Sequence, residues 1–234
     1  MTARELMRDW LTVRTAVGLA GMAISAALLA FAVPVVRGEY ARLFVSDLET
    51  AVRARSDLST AQLQDLSGVL KDAYAYRRDP AIALDLALIE LLRLEKGAGG
   101  GDAVSYDRAA ALLREGLAAR PAAPHGWTRL ARVRLRQGRD TQAVREGLVL
   151  AVTTGPVVRR LAVPRLEVGL RIWDGLTDYE RGLVRWQARI AFEERPQATV
   201  RVALSAGRVG VVRGALTGLA ARARFDGFVA DMRG

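Results

Sequence analysis

Seven prolines, at positions 34, 80, 121, 124, 156, 164 and 196, cut this chain into pieces of helical length. Between them apolar residues recur at spacings of three and four, and few windows alternate as a strand would. Proline lacks an N–H and fixes φ, so it sits well at the start of a helix and stops one in its interior. The chain therefore reads as all-α.

The local signals place the pieces. A juxtamembrane helix is expected over residues 39–54. Ser59 and Gln62 make a capping box that opens a helix lined by Leu63, Leu66, Val69, Leu70 and Ala73 and ending near Arg78, because Asp79-Pro80 disfavours continuation. Pro80 then starts a strongly apolar helix closed by the flexible loop Gly97 to Asp102. A helix from Tyr106 to Arg120 follows, and then a pair split at Gln137-Gly138 and ended at Gly155-Pro156. Residues 157–173 are an arginine-bearing apolar segment that Pro164 should interrupt. Thr177 with Glu180 makes a second capping box, and beyond Pro196 one or two helices should break around Gly207 or Gly210.

The N-terminal segment raises a different question. Residues 15–36, between Arg14 and Arg37, carry no charge, and as a helix they would span about 33 Å, enough to cross a bilayer. A basic tail over residues 1–14 and the ending Ala30-Phe31-Ala32 also suit a signal peptide cleaved after residue 32. The length of the run and its continuation through Val36 favour a retained transmembrane helix. Gly18 with Gly21, Ser25, and the pair Ala23 and Ala27 lie at helical spacings that would seat it against another helix in the membrane. Arginines flank the run on both sides. A short basic tail usually stays in the cytoplasm, which puts the N-terminus there and the body in the periplasm of a bacterial inner membrane. A cytoplasmic body, or secretion to the periplasm, is the alternative.

Composition removes several function classes. With no cysteine, disulfides, thiolate metal sites and Cys nucleophiles are all excluded. His125 is the only histidine and lies in a loop between Pro124 and Gly126 without a second ligand type beside it, so no metal site is expected. No glycine-rich phosphate cradle is encoded either, and no cofactor is expected. The formal charge of +10 is spread through the helices as arginine, and aromatics make up 6% of residues, which argues against nucleic acid. Trp127, Trp173 and Trp186 stand at helical spacing and read as core packing. The carboxylates Asp178, Glu180, Glu193 and Glu194 read as helix-end acids, and no general acid/base pair emerges.

The stretch Pro124 to Pro156 resembles a tetratricopeptide repeat (TPR). Trp127, Leu130 and Ala131 match its first-helix packing positions, Gly138 its inter-helix turn and Ala143 its second-helix packing position. Leu86 and Ala87, then Ala109 and Leu113, resemble a preceding repeat. Arg134 stands where a large aromatic is common in the family, and Gly147 where a bulky apolar residue is common. The resemblance implies an α-solenoid of stacked helix hairpins, with repeats over residues 80–156 after juxtamembrane helices at 37–79, and degenerate hairpins over 157–234. It further implies a groove lined by first-helix residues His125, Thr128, Arg132, Leu135 and Arg136, in which Arg132 and Arg136 would pair with an acidic peptide.

The functional expectation is a non-catalytic scaffold subunit of a bacterial envelope or membrane complex, with other membrane or periplasmic proteins as partners and the bilayer held by residues 15–36. Two other classes stay open. One is a peripheral binder of anionic lipid or another acidic ligand, since the body from residue 38 carries 31 basic and 23 acidic residues. The other is a glycan-active enzyme using carboxylates in a helical groove.

Overall fold

The computed structural model describes residues 17–33, 35–36, 39–40, 58–76, 78–97 and 103–233. The described residues form helices and turns and no strand. The chain divides into two compact units, Met1–Arg78 and Asp79–Gly234.

In the first unit, helix α1 covers residues 17–33, and every one of them is exposed. Its large apolar side chains are uncovered all round: Val17, Leu19, Met22, Ile24, Leu28, Leu29 and Phe31 keep 62–67% of their surface. Among the described residues no helix is long and apolar enough to cross a membrane. At about 1.5 Å per residue the described part of α1 is roughly 26 Å long, short of the expected 15–36 span. The expected helix over 39–54 lies outside the described residues beyond Tyr40.

Helix α2 (Thr60–Tyr76) opens on the expected capping box: Ser59 N–H donates to Gln62 Oε1 at 2.8 Å, and Gln62 N–H to Ser59 Oγ at 3.2 Å. Its buried stripe is Leu63, Ser67, Leu70 and Ala73, so Ser67 takes the inward position and Val69, expected there, faces outward. Tyr76, where α2 ends, donates its hydroxyl to the Phe31 carbonyl of α1 at 3.4 Å.

The second unit is a row of helix hairpins: α3 (Pro80–Glu95) with α4 (Ala103–Ala119), α5 (Pro124–Arg136) with α6 (Thr141–Thr153), and α7 (Ala162–Arg171) with α8 (Asp178–Glu194). Each hairpin packs on the next, α4 against α5 and α6 against α7. Helices α9 (Pro196–Ser205), α10 (Val209–Ala215) and α11 (Leu219–Asp231) close the row against α8. Asp79 caps α3 through the Ala81 N–H at 2.8 Å, and Pro80, Pro124 and Pro196 each fill a first-turn position whose N–H would have no helical acceptor. Gly138 adopts φ +63° in the turn between α5 and α6, a conformation that costs a Cβ-bearing residue more than glycine.

Two details depart from expectation. Pro164 does not interrupt its segment. It lies in the first turn of α7, behind a short 3₁₀ turn at Arg159–Leu161, where a missing N–H breaks no bond. The C-terminal stretch breaks twice, after Ser205 and again between Ala215 and Leu219. The residues beyond Pro156 share a continuous apolar core that runs from Ala131 to Val229 and is closed by Phe192 meeting Phe225 edge-on at 5.6 Å.

Gly147 explains its own departure from the repeat pattern. A Cβ placed on it would come within 3.1 Å of the Ala131 Cβ and 3.3 Å of its Cα, so α5 and α6 touch through two of the smallest residues. A bulky side chain at this crossing must push the hairpin open. Gly147→Leu should therefore lower unfolding stability by about 1–3 kcal/mol in urea titration. Unchanged stability would show that the crossing has room to relax.

A candidate partner-binding face on α3 and α5

Helix α5 turns Gly126, Thr128, Leu130, Ala131 and Val133 inward and leaves an arginine edge. On that edge Arg132 is shared by two acids: its Nη2 lies 3.0 Å from Glu95 Oε1 at the end of α3, and its Nε 3.8 Å from Glu167 Oε2 on α7. Arg129 Nη1 reaches the Leu84 carbonyl of α3 at 3.5 Å. These first helices of the three hairpins are thus stitched side by side. The pairs are partly solvated, so each contributes well under about 1 kcal/mol, and they fix direction more than stability.

Beside this edge lies a cavity of about 330 Å³ whose wall includes Leu91, Glu95, Tyr106, Arg132 and Arg136. Arg136 is exposed at the C-terminal end of α5, while Arg132 is 36% exposed. The cavity therefore offers two guanidinium groups above an apolar floor of Leu94 and Val133, with Glu95 already facing one of them.

The five residues expected on the groove do not share one surface. Arg132 and Arg136 line this cavity together. His125 sits half-buried at the start of α5 and accepts from Arg160, whose Nη2 is 2.6 Å from its Nε2. Leu135 packs against the apolar core. Thr128 is turned inward and 3% exposed, because its position falls on the core stripe next to Ala131; its hydroxyl donates to the Pro124 carbonyl at 2.8 Å. Gly18, Gly21, Ala23, Ser25 and Ala27 all lie on α1 and are exposed, and among the described residues nothing approaches within 4 Å of a Cβ built at Gly18 or Gly21. Of the tryptophans, Trp173 is in the core, and Trp127 and Trp186 are half-buried. No group of three or more acids and histidines among the described residues could hold a metal ion.

The residue that binds the hairpins together escaped the sequence reading. Arg165 of α7 is 1% exposed, and among the described residues no carboxylate lies within ion-pair distance of it. Its Nη2 donates to the Ala151 carbonyl at 2.5 Å and its Nη1 to the Gly155 carbonyl at 2.9 Å, both at the C-terminal end of α6. Its Nε meets Thr128 Oγ1 of α5 at 3.3 Å, and its Nη1 also faces Gln187 Oε1 of α8 at 3.4 Å. Gln187 continues the chain to the Pro156 carbonyl at 3.3 Å. A helix C-terminus carries orphan carbonyls and partial negative charge, so it solvates the cation in place of an acid. Burial lowers the Arg165 pKa to about 10, which still leaves it charged at neutral pH. The signal was present: Arg165 falls in phase with Ala162, Leu166 and Gly169 on the stripe that enters the core.

A second polar joint links α6 to α8. Glu180 accepts from the Thr177 N–H at 2.7 Å and the Thr177 hydroxyl at 2.9 Å, and Arg145 Nε lies 3.0 Å from both of its carboxylate oxygens. Burial disfavours the Glu180 carboxylate. The Thr177 bonds and Arg145 outweigh that and hold its pKa below the usual carboxylate value.

No protein-family model matches the chain, and no curated protein matches it. Among solved structures, the crystal structure of a thermophilic TPR protein from Thermus thermophilus superposes with a TM-score of 0.51 at 15% identity, over 82% of this chain and 99% of that one. The fold is TPR-like. In TPR-like terms α3, α5 and α7 are the first helices of three successive hairpins, and the Arg132 cavity lies along them.

Removing Arg165 strands the buried Ala151 carbonyl and the part-buried Gly155 carbonyl, so Arg165→Met should cost roughly 3 kcal/mol in urea unfolding, with Arg165→Lys keeping the charge and losing the fork at a smaller cost. For Glu180, a folded pKa below the unfolded one gives stability that is present above the ordinary carboxylate range and fades as pH falls through it. The wild-type midpoint should drop between about pH 5 and pH 3, and Glu180→Gln should flatten part of that drop.

Proposed function

We propose that this chain is a membrane-tethered, non-catalytic interaction subunit of a bacterial envelope complex. In this reading α1 lies in lipid and the TPR-like hairpins hold an acidic segment of a partner protein against Arg132 and Arg136. The observation that carries the tether is the uniform exposure of the apolar side chains of α1, since a helix greasy on every face is stable only where no water touches it. The span would run through residues on both sides of the described helix, from 15 to 36. Gly18, Gly21, Ala23, Ser25 and Ala27 would let a second membrane helix come close. The basic residues 4, 8 and 14 favour a cytoplasmic N-terminus and a periplasmic body.

The partner face is supported by the juxtaposition of Arg132 and Arg136 along one cavity with a hydrophobic floor. Guanidinium groups recognise carboxylates through paired N–H donors, and Arg132 already shows that preference within the chain. A carboxy terminus or an acidic side chain next to an apolar one would match both elements.

Tagged full-length protein extracted from native membranes should bring down one stoichiometric membrane or periplasmic protein, and Arg136→Glu should weaken that capture roughly tenfold without altering the thermal midpoint. Recovery of the chain alone in several mild detergents would sink the scaffold reading. Salt-sensitive binding to anionic liposomes that survives deletion of residues 1–36 would replace protein recognition by lipid recognition.

A further inference from the structure

On the opposite side of the same hairpins, Arg134 occupies the position where the repeat pattern favours an aromatic. It does not point into solvent. Its Nη1 donates to the Ala143 carbonyl of α6 at 2.6 Å, and the half-buried side chain borders a cavity of about 240 Å³ between α4, α5 and α6. Arg114 of α4 and Arg139 of the α5–α6 turn border the same cavity, with Asp107 as its one acidic wall and Leu130 at its floor. Asp107 is already committed: Arg139 Nη2 lies 3.1 Å from its Oδ1, and Gln137 Nε2 donates to the same oxygen at 2.5 Å. Among the described residues Arg114 bonds to the Ala110 carbonyl of its own helix, through Nε at 3.3 Å, and its two terminal nitrogens take no partner there. Glu146 acts on Arg134 from outside the cavity wall, where it accepts from Gln142 at 3.2 Å.

We propose that this cavity is a binding site for a small tetrahedral oxyanion, a phosphate group held between the guanidinium groups of Arg114 and Arg134 with Arg139 at its rim. Three arginines against one engaged carboxylate leave an excess of positive charge around the cavity. Burial, and to a smaller extent the charge of Arg114, lower the Arg134 pKa, with Glu146 opposing them. An anion between the two cations would relieve that repulsion and take hydrogen bonds from the terminal nitrogens of Arg114. The volume falls below the roughly 300–1,000 Å³ of sites for drug-sized ligands, so it suits a phosphate group and not a nucleotide. The group could arrive as the free ion or as a small phosphate monoester.

The test is calorimetric and thermal titration of the full chain in non-ionic detergent with inorganic phosphate, glycerol phosphate and, at matched ionic strength, chloride. Phosphate should raise the unfolding midpoint progressively beyond the chloride control, as expected for a ligand of the native state alone. Glycerol phosphate binding as well as phosphate would assign the site to monoesters, and weaker binding would assign it to the free ion. Arg114→Gln, on an exposed side chain, should reduce affinity roughly tenfold and leave the ligand-free midpoint unchanged. Arg134→Phe, which supplies the aromatic of the repeat pattern, should abolish binding in a folded protein. Equal responses to phosphate and chloride, or wild-type titration by Arg114→Gln, would overturn the proposal.

Discussion

A single guanidinium group sets how the hairpins stack. Arg165 reaches from α7 to the C-terminal end of α6, to the Thr128 hydroxyl of α5 and to the Gln187 amide of α8, so four helices meet at one side chain. An apolar residue in its place would pack with several neighbouring registers. The fork of an arginine accepts only one, because its donors and the carbonyls of Ala151 and Gly155 must meet at fixed angles. The apolar core around it supplies most of the stabilisation, and Arg165 supplies the uniqueness.

Much of the architecture could be read from residues that act locally. Ser59 with Gln62 and Thr177 with Glu180 cap helices because a hydroxyl and a carboxamide or carboxylate three residues apart satisfy each other's backbone N–H, whatever surrounds them. Pro80, Pro124 and Pro196 mark helix starts for an equally local reason. What escaped depends on contacts distant in sequence. Thr128 and Arg165 are 37 positions apart, and neither announces the other. Gly147 looked like a defect in a repeat until Ala131 was found against it.

The candidate face was legible in part, and for the same reason. Helical spacing brings Arg132 and Arg136 to one side of α5 by geometry alone. It does not reveal that Glu95 and Glu167 wait beside Arg132, nor that Thr128 turns away, because those outcomes depend on where α3 and α7 lie. Arg134 is the converse case. It breaks the repeat pattern on the page, yet only the packing of α4 and α6 gives that break a cavity.

The double clasp of Arg132 has a mechanical side. Glu95 and Glu167 sit on helices that flank α5, and one cation bridges the two across it. An incoming carboxylate would compete with both, trading one ion pair for another at little net cost while releasing that bridge. Occupancy of the groove would then be felt at α3 and α7, the two helices whose acids lose their shared cation.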